Sequence, residues 1–243
     1  KSDLSVRLFD ALNRMILRRA DDVIALDRFM ADRLNRKLDV TAKMTVLPPW
    51  PHEDHLGPIP HKDNPFRHEH ALEGKFVLMY SGNISPAHPV TTILEAAKRL
   101  KEDRELLLMF IGGGLGKGGI ERYVQREGLT NVRSLPYQPL DTIKYSLSAA
   151  DLHLVAMGPQ MVGIVHPCKG YGAMAVARPI LLLGPRRSHV GQILDADEVG
   201  WQIDHDDVDG AAAMIRQIKQ TDPKVLADMG RRAHDVILHQ FSK

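Results

Sequence analysis

The amino-acid sequence predicts an α/β protein built on a Rossmann-like, doubly wound parallel sheet with helices on both faces. Two observations support this fold class. Apolar runs recur from residue 75 onward without alternating polar residues, as is typical of strands buried on both faces. Segments with helical spacing lie between these runs. Repeated strand-helix order calls for right-handed crossovers, and such crossovers join parallel strands.

The predicted elements follow one another from residue 76. The strands are predicted at residues 76–80, 106–111, 132–135, 152–155, 180–183 and 201–203. The helices are predicted at residues 92–100, 140–150 and 208–219. In the last of these helices, Ala212, Ile215 and Ile218 recur at the spacing of one helix face. Strand and helix thus alternate through the whole of this region.

The first 47 residues do not join that repeat in an obvious way. They predict a helix at residues 4–19, a strand at 22–26, a helix at 27–37 and a strand at 43–47. Two such units cannot close a sheet, so we expect residues 1–47 to be the tail of a truncated N-terminal domain. Prolines crowd the next segment, which predicts a linker at residues 48–70 and a Rossmann-like domain at 71–243.

Composition excludes several classes of protein. The chain has 243 residues, of which 44% are hydrophobic and 26% charged, so a packed globular fold is expected rather than disorder. A net charge of +2 is too balanced for a general nucleic-acid binder. One cysteine cannot form an internal disulfide, and no signal peptide or long apolar span is evident. We therefore expect a cytoplasmic protein.

Two glycine-containing loops follow the first two predicted strands. Gly82, Asn83 and His88 lie after the first strand, and Gly112 and Gly113 lie after the second. Ligands of open parallel sheets bind beyond the carboxyl ends of the strands, and glycine permits close backbone approach. The second loop lacks the spacing of a Walker sequence, and no acidic residue ends the next strand as in a dinucleotide fingerprint. We therefore do not expect NAD binding.

Lys169 occupies the predicted start of a helix rich in small residues. A helix start offers unpaired backbone N–H groups and the positive end of the helix dipole. A lysine adds a full positive charge there, so this position suits a phosphate or pyrophosphate group. The expected ligand is a nucleotide-linked one.

Seven short motifs occur in a fixed order. They are Tyr-Ser-Gly-Asn at 80–83, Phe-Ile-Gly-Gly-Gly at 110–114, Leu-Pro-Tyr-Gln at 135–138, Ala-Ala-Asp-Leu-His-Leu-Val at 149–155, Gly-Ile-Val-x-Pro-x-Lys-x-Tyr-Gly at 163–172, Ala-Met-Ala-x-x-Arg-Pro at 173–179 and Met-Gly-x-x-Ala at 229–233. Together they resemble the carboxyl-terminal half of family-four glycosyltransferases, most of all the branch that builds bacterial surface polysaccharides. The resemblance implies a glycosyltransferase-B architecture, with the nucleotide sugar held by residues 71–243 and the acceptor held mainly by the N-terminal domain.

The resemblance also implies roles for individual positions. Gly82 and Asn83 would approach the diphosphate, while Tyr137 and Gln138 would lie near the nucleobase. The loop at residues 163–165 would offer backbone groups to the donor sugar. Lys169 would sit at the diphosphate or the ribose. The full set of expected donor-binding residues is Gly82, Asn83, His88, Gly112, Gly113, Tyr137, Gln138, Gly163, Ile164, Val165, Lys169 and Tyr171.

The sequence departs from the family pattern in two respects. Many relatives carry a pair of glutamates that hold the sugar and the ribose, but Ile164 and Gly172 occupy those places here. Relatives also often carry an arginine and a lysine after the first strand, and residues 81–97 contain neither. Lys169 is the expected substitute for their charge. No catalytic residue is predicted.

The resemblance implies a retaining glycosyltransferase that moves a sugar, expected to be UDP-linked, to a glycan or lipid-linked acceptor without a metal or other cofactor. Two alternatives stay open: a nucleotide-sugar epimerase and a non-catalytic nucleotide-binding module. His153 and His166 show no metal spacing with a carboxylate, so they are expected to be structural. We expect residues 1–243 alone to be inactive.

The first predicted helix has an apolar stripe flanked by arginines. In a whole enzyme the stripe is expected to pack on the rest of the N-terminal domain. Two other possibilities stay open for this helix. They are contact with the inner face of a membrane and dimerisation through the exposed stripe. The stripe contains Leu4, Leu8, Leu12, Ile16 and Leu17.

Overall fold

The computed structural model describes residues 2–49 and 56–241, with only the backbone described for residues 2 and 3. Two parallel sheets are present in this part of the chain, one with two strands and one with six. Residues 50–55 of the predicted linker lie outside the described residues.

The N-terminal unit contains the smaller sheet. Its elements are α1 (Ser2–Arg19), β1 (Val23–Ala25), α2 (Arg28–Lys37) and β2 (Met44–Val46), with a 3-10 turn at Thr41–Lys43. β1 and β2 pair in parallel. Asp27 ends the turn before α2 and caps it, because its side chain accepts a hydrogen bond from the backbone of Met30 at 2.8 Å.

The larger unit alternates strands and helices. Its strands are β3 (Phe76–Ser81), β4 (Leu106–Ile111), β5 (Val132–Leu135), β6 (Leu152–Ala156), β7 (Ile180–Leu183) and β8 (Gly200–Ile203). Its helices are α3 (Pro65–Glu69), α4 (Thr91–Arg99), α5 (Lys117–Glu127), α6 (Ile143–Ser148), α7 (Lys169–Ala175), α8 (His189–Asp197), α9 (Val208–Lys219) and α10 (Pro223–Gln240). All six predicted strands are present, each within one residue of its predicted ends.

The order of strands in the larger sheet is β5-β4-β3-β6-β7-β8, and every pair is parallel. The chain runs outward from β3 to β5, then returns to the other side of β3 and runs outward again. The order therefore reverses between β3 and β6, where a doubly wound sheet opens its ligand crevice. The prediction of an α/β, Rossmann-like parallel sheet is confirmed.

Apolar packing on both faces explains why the central strands lack polar alternation. Every residue of β4 and β6 is buried. Leu78 and Leu108 face one cluster with α4 and α9, while Val77 and Met109 face another that includes Phe66 of α3. Neighbouring side chains on one strand thus enter two different cores.

Several elements escape the sequence analysis. α3 lies inside the predicted linker, yet its Phe66 is only 6% exposed and belongs to the core. A 3-10 turn at His61–Asp63 comes just before α3. The linker prediction therefore needs correction from residue 61 onward. The predicted helix at 140–150 is shorter, because Pro139 precedes a turn and α6 starts at residue 143. Gly118 and Gly119 belong to the first turn of α5. α8 and α10 were not predicted.

The apolar stripe of α1 is largely exposed. Leu4 and Leu8 are 76% and 68% exposed, whereas Leu17 is buried against β1. Lys37 of α2 holds α1 through an ion pair of 2.6 Å with Asp10. Among the described residues, no helix combines the length and the apolar character needed to span a membrane.

A buried arginine joins α3 to the larger sheet. Arg67 is 5% exposed and donates to the carbonyl oxygens of Ala149, Leu72 and Lys75 at 2.6, 2.5 and 2.9 Å. Its guanidinium also lies 3.5 Å from Asp151, which accepts the backbone N–H of Val77. The planar fork of arginine can serve several acceptors at once, which an ammonium group cannot do in the same geometry.

We predict that Arg67→Met lowers the free energy of unfolding by about 3 kcal/mol or more, because it leaves buried carbonyls and a carboxylate without their partner. Chemical denaturation measures this change. Arg122→Met, at an exposed position, is the control and is expected to change stability by no more than about 0.5 kcal/mol. An equal effect of the two substitutions would contradict a structural role for Arg67.

Candidate functional site

The candidate site is the crevice at the carboxyl edge of the larger sheet. The loops after β3, β4 and β6 border it, and the first and third of these flank the point where strand order reverses. Their positions follow from the parallel pairing of β3 with both β4 and β6. Parallel strands end at the same edge, so residues far apart in sequence meet there.

The loops after β3 and β4 approach each other backbone to backbone. A Cβ on Gly112 would overlap the carbonyl oxygen of Gly82, so only glycine fits at residue 112, where φ is +142°. The N–H of Ile84 donates to the Gly113 carbonyl at 2.7 Å, and the N–H of Gly116 donates to the Ile84 carbonyl at 3.0 Å. The two loops therefore form one rigid rim.

Lys169 enters the crevice from the start of α7. Its side chain passes over Gly82, where a Cβ would lie 2.7 Å from Cε of Lys169. The ammonium lies 5.4 Å from the centroid of the Tyr80 ring and 3.4 Å from Nε2 of His88. Glycine at residue 82 thus makes room for the lysine stem. Three predicted residues, Gly82, His88 and Lys169, are brought together.

The contact with Lys169 defines the protonation of His88. An ammonium only donates, so Nε2 of His88 accepts and the ring proton resides on Nδ1, 2.9 Å from the Ser85 hydroxyl. Burial and the nearby charge of Lys169 lower the pKa of His88 to about 4. Ser85 has no predicted role, but its hydroxyl here orients the imidazole.

Lys169 is half-buried, and burial lowers its pKa. Within the part of the chain that the structure describes, no carboxylate forms an ion pair with it. A partly desolvated cation without a counter-ion attracts an anionic ligand.

Tyr137 and Gln138, which the resemblance predicts to lie near the nucleobase, follow β5 and border the crevice beside Gly113. The Tyr137 ring lies on the backbone of Gly113, where a Cβ would come within 2.9 Å of Cε2. Tyr137 is 58% exposed, so one face of its ring is available for stacking. Gln138 is oriented by donating to the Pro136 carbonyl at 3.1 Å.

Lys117 stiffens the same region and was not predicted. Its ammonium donates to the carbonyl oxygens of Gly112 and Leu135 at 3.1 and 3.2 Å, which ties the ends of β4 and β5 together. The loop before Lys117 lacks Walker spacing, so the sequence predicted no role for this lysine.

The loop at residues 163–165 has a different geometry from the one expected. The N–H groups of Ile164 and Val165 both donate to the Met161 carbonyl, at 2.9 and 3.0 Å. They are therefore engaged within a turn rather than directed at a donor sugar. Gly163, with φ of +72°, presses against α2, where a Cβ would lie 2.5 Å from the Phe29 carbonyl oxygen.

Tyr171 does not join the other predicted donor-binding residues. Two residues along a helix turn by about 200°, so Tyr171 and Lys169 leave α7 on nearly opposite sides. Tyr171 is 3% exposed and stacks with Phe241 at a centroid distance of 4.9 Å. Its hydroxyl lies 2.8 Å from Nε2 of both His166 and His189.

His166 has the carboxylate partner that sequence spacing did not reveal. Its Nδ1 lies 2.9 Å from Oδ2 of Asp27, which is 139 residues away in the chain. Asp27, His166, Tyr171 and His189 thus form a continuous hydrogen-bonded chain between α2, the loop before α7 and α8. His166 was predicted to be a structural histidine, and both of its ring nitrogens are hydrogen-bonded. Its carboxylate partner comes from the N-terminal unit, which sequence spacing did not reveal.

Asp27 is the negatively charged member of this hydrogen-bonded chain. Burial opposes its ionisation, but hydrogen bonds from His166 and the Met30 N–H hold its pKa below the ordinary value. Burial and the neighbouring His166 lower the pKa of His189 to about 4. Asp27, His166 and His189 place one potential ligand atom each within 4.8 Å of one another, the one such group among the described residues. Their polar atoms already bind one another and Tyr171.

Two bacterial proteins are similar in sequence to this chain. WbjE of Pseudomonas aeruginosa, named as a probable glycosyltransferase, is 25% identical over all 243 residues of the chain, which span 60% of its length. WcaI of Escherichia coli K12, named as a candidate colanic acid biosynthesis glycosyl transferase, is 26% identical over 87% of the chain and 52% of its own length. The chain thus spans little more than half of these relatives.

Solved structures share the fold. Anabaena Alr3699/HepE, crystallised with UDP and glucose, superposes with a TM-score of 0.80 at 16% identity, over 96% of this chain and 63% of its own. Sucrose-phosphate synthase from Thermosynechococcus elongatus gives 0.78 at 18% identity, over 96% and 57%. The predicted glycosyltransferase-B type of fold is confirmed.

The profile of the glycosyl transferases group 1 family matches residues 62–236. This range includes the whole crevice edge of the larger sheet, from the Gly82 loop to α7, and well over half of the chain. On the strength of that match, the chain belongs to the glycosyl transferases group 1 family.

Proposed function

We propose that this chain is the donor-binding part of a retaining glycosyltransferase, which moves a sugar from a UDP-sugar to a glycan or lipid-linked acceptor during synthesis of a surface polysaccharide. The single observation that carries the proposal is the half-buried Lys169, which has no carboxylate partner among the described residues and lies beside Gly82 and His88 at the point where strand order reverses. The family match and the names of WbjE and WcaI support the reaction class.

The choice of UDP rests on structural neighbours and on the crevice. HepE has been crystallised with UDP-glucose, and TarM of S. aureus with UDP. In this chain the exposed face of Tyr137 suits a planar base, and Gln138 beside it supplies amide groups for base edges. Lys169 would then meet the diphosphate on the other side of the glycine rim.

The proposed chemistry is stabilisation of a leaving diphosphate. The N–H groups of Gly82 and Gly112 already donate to Ile111 and Leu135 in the sheet, at 2.8 and 3.0 Å, so backbone donors at these two positions are engaged. Most of the favourable charge must therefore come from Lys169, held in place before the reaction begins. We propose that no metal takes part.

Acceptor binding is proposed to lie with residues of the longer relatives that this chain does not span. The absence of carboxylates at Ile164 and Gly172 favours the second candidate, a non-catalytic module that binds nucleotide without turnover. No observation favours the epimerase alternative, which we do not propose. Cytoplasmic location, membrane contact and dimerisation stay predictions.

The first test is calorimetric titration of the chain with UDP, GDP, ADP and NAD. We expect UDP to bind with the highest affinity, because Tyr137 and Lys169 provide for a base and a diphosphate. Exclusive binding of NAD would contradict the proposal. A longer protein containing this chain that binds UDP-sugars but transfers no sugar would identify the non-catalytic module instead.

Replacing Lys169 with alanine should weaken UDP binding by about 1–3 kcal/mol, since a charge-assisted contact to phosphate is lost in a partly desolvated site. Lys101→Ala removes the same charge from an exposed loop at the opposite edge of the sheet and serves as the control. Equal UDP affinities of the two variants, measured by calorimetry, would remove Lys169 from the site.

Diphosphate binding should also raise the pKa of His88, because a negative charge would neutralise Lys169 and favour the imidazolium. The pKa of His88 is about 4 in the free protein, so a complex in which that pKa lies nearer its ordinary value of about 6.5 should take up a proton at pH values between the two. UDP-glucose affinity should therefore rise as pH falls from about 6.5 to 5. Calorimetry in two buffers of different ionisation enthalpy measures the uptake, which His88→Asn should abolish.

A further inference from the structure

We infer that Asp27 and His166 position the donor-binding edge of the larger unit from the N-terminal unit, so that two separate sheets share one nucleotide-sugar site. The inference rests on the proposed function and deepens it. It assigns His166 as a positioning residue for Lys169 and Asp27 as the residue that orients His166. Neither residue is assigned a direct contact with the donor.

The hydrogen bonds in the chain have a defined direction. Asp27 is ionised and accepts, so Nδ1 of His166 donates to Oδ2 across 2.9 Å. Nε2 of His166 and Nε2 of His189 each form a hydrogen bond of 2.8 Å with the Tyr171 hydroxyl, which can donate one bond and accept another. Every polar atom named has a partner of the correct type. The ring of His166 is thereby fixed at both ends.

Along the chain, His166 lies between two segments that border the crevice. His166 follows the turn at residues 163–165 and comes three residues before Lys169, with Pro167 limiting the backbone between them. Gly163 presses on the Phe29 carbonyl of α2, close to the Asp27 cap. α2 therefore contacts the donor-side loop twice, once through backbone and once through the Asp27 to His166 bond. Both contacts define where α7 begins, and so where the Lys169 ammonium lies.

Burial makes this connection rigid. The side chains of His166 and Asp27 are only 1% and 4% exposed. A hydrogen bond between a charged carboxylate and an imidazole is stronger where water cannot compete for either group, and losing one partner leaves the other desolvated. The ring centroids of His166 and His189 lie 4.3 Å apart at a 42° tilt, so the two imidazoles stack against each other. Both rings direct Nε2 to the hydroxyl of Tyr171 rather than to an empty point between them.

The test uses substitutions that remove one bond at a time. Asp27→Ser keeps a side-chain cap for α2 but is too short to reach His166. In His166→Gln the amide replaces Nε2 and the bond to Asp27 is lost, whereas in His166→Asn the amide nitrogen replaces Nδ1 and can still donate to Asp27. His234→Asn alters a histidine that binds the Ala175 carbonyl at the far end of α7, and it is the matched control.

Calorimetry with UDP is the first readout. We expect Asp27→Ser and His166→Gln each to weaken UDP binding about tenfold, and the double variant to be no weaker than either, because both remove the same bond. His166→Asn and His234→Asn should stay within about twofold of the unaltered chain. If a variant weakened UDP binding only because it is less stable, its loss of affinity would parallel its loss of stability. Denaturation of the same variants measures their unfolding midpoints.

Nitrogen NMR of the histidine rings gives a second readout that does not need nucleotide. The proton on Nδ1 of His166 should exchange slowly with solvent in the unaltered chain and rapidly in Asp27→Ser. Unchanged UDP affinity in both Asp27→Ser and His166→Gln would overturn this inference while leaving the proposed function intact. Failure of the unaltered chain to bind UDP would overturn both. Stoichiometric Zn²⁺ binding that His189→Ala abolishes would also overturn it, since a metal would displace the protons of the chain.

Discussion

The parallel pairing of β3 with both β4 and β6 is the constraint on which the site depends. It places the ends of three strands at one edge, and it requires the loop after β3 to pass under the loop after β4. Gly112 permits that passage, since any Cβ there would overlap the carbonyl of Gly82. The crevice is therefore a consequence of close backbone packing rather than of any single polar residue. Side chains such as His88 and Lys169 then inherit fixed positions.

The environment of Lys169 makes the crevice favourable for an anion. Burial opposes its charge, and the described carboxylates all lie beyond ion-pair distance. The neighbouring His88 responds to the same charge by staying neutral. An anion entering the crevice would satisfy both groups at once, so the free protein is less favourable electrostatically than a complex. The charge of Lys169 therefore favours ligand binding rather than stability of the free protein. Other residues must stabilise the fold, as Arg67 does by donating to the carbonyl oxygens of Ala149 and Leu72.

The larger sheet was predictable because its strands carry an uninterrupted apolar pattern, as in β4, where all six residues are buried. Gly82 and His88 could be proposed because they lie in the loop that follows β3, and Lys169 because it starts a predicted helix. Gly82 and Lys169 also match family motifs. Other features left no local signal. Phe66 lies close to several prolines, and because crowded prolines are typical of linkers, α3 was predicted as part of a linker. Tyr171 was assigned to the donor from its motif, although helix geometry turns it away from Lys169. Asp27 and His189 reach His166 only through tertiary folding, so spacing could not reveal them.

The hydrogen-bonded chain from Asp27 to His189 explains why the N-terminal unit matters to a site formed by the larger one. Two strands and two helices bury little apolar surface, and much of the α1 stripe is exposed, so packing alone fixes this unit weakly. A buried carboxylate with a single imidazole partner is different, because displacement by one residue would leave both groups desolvated. Asp27 also caps α2, so the helix and the His166 bond depend on the same side chain. Orientation of α2 and position of the loop before α7 are thus set together, by one residue that lies outside the donor-binding sheet.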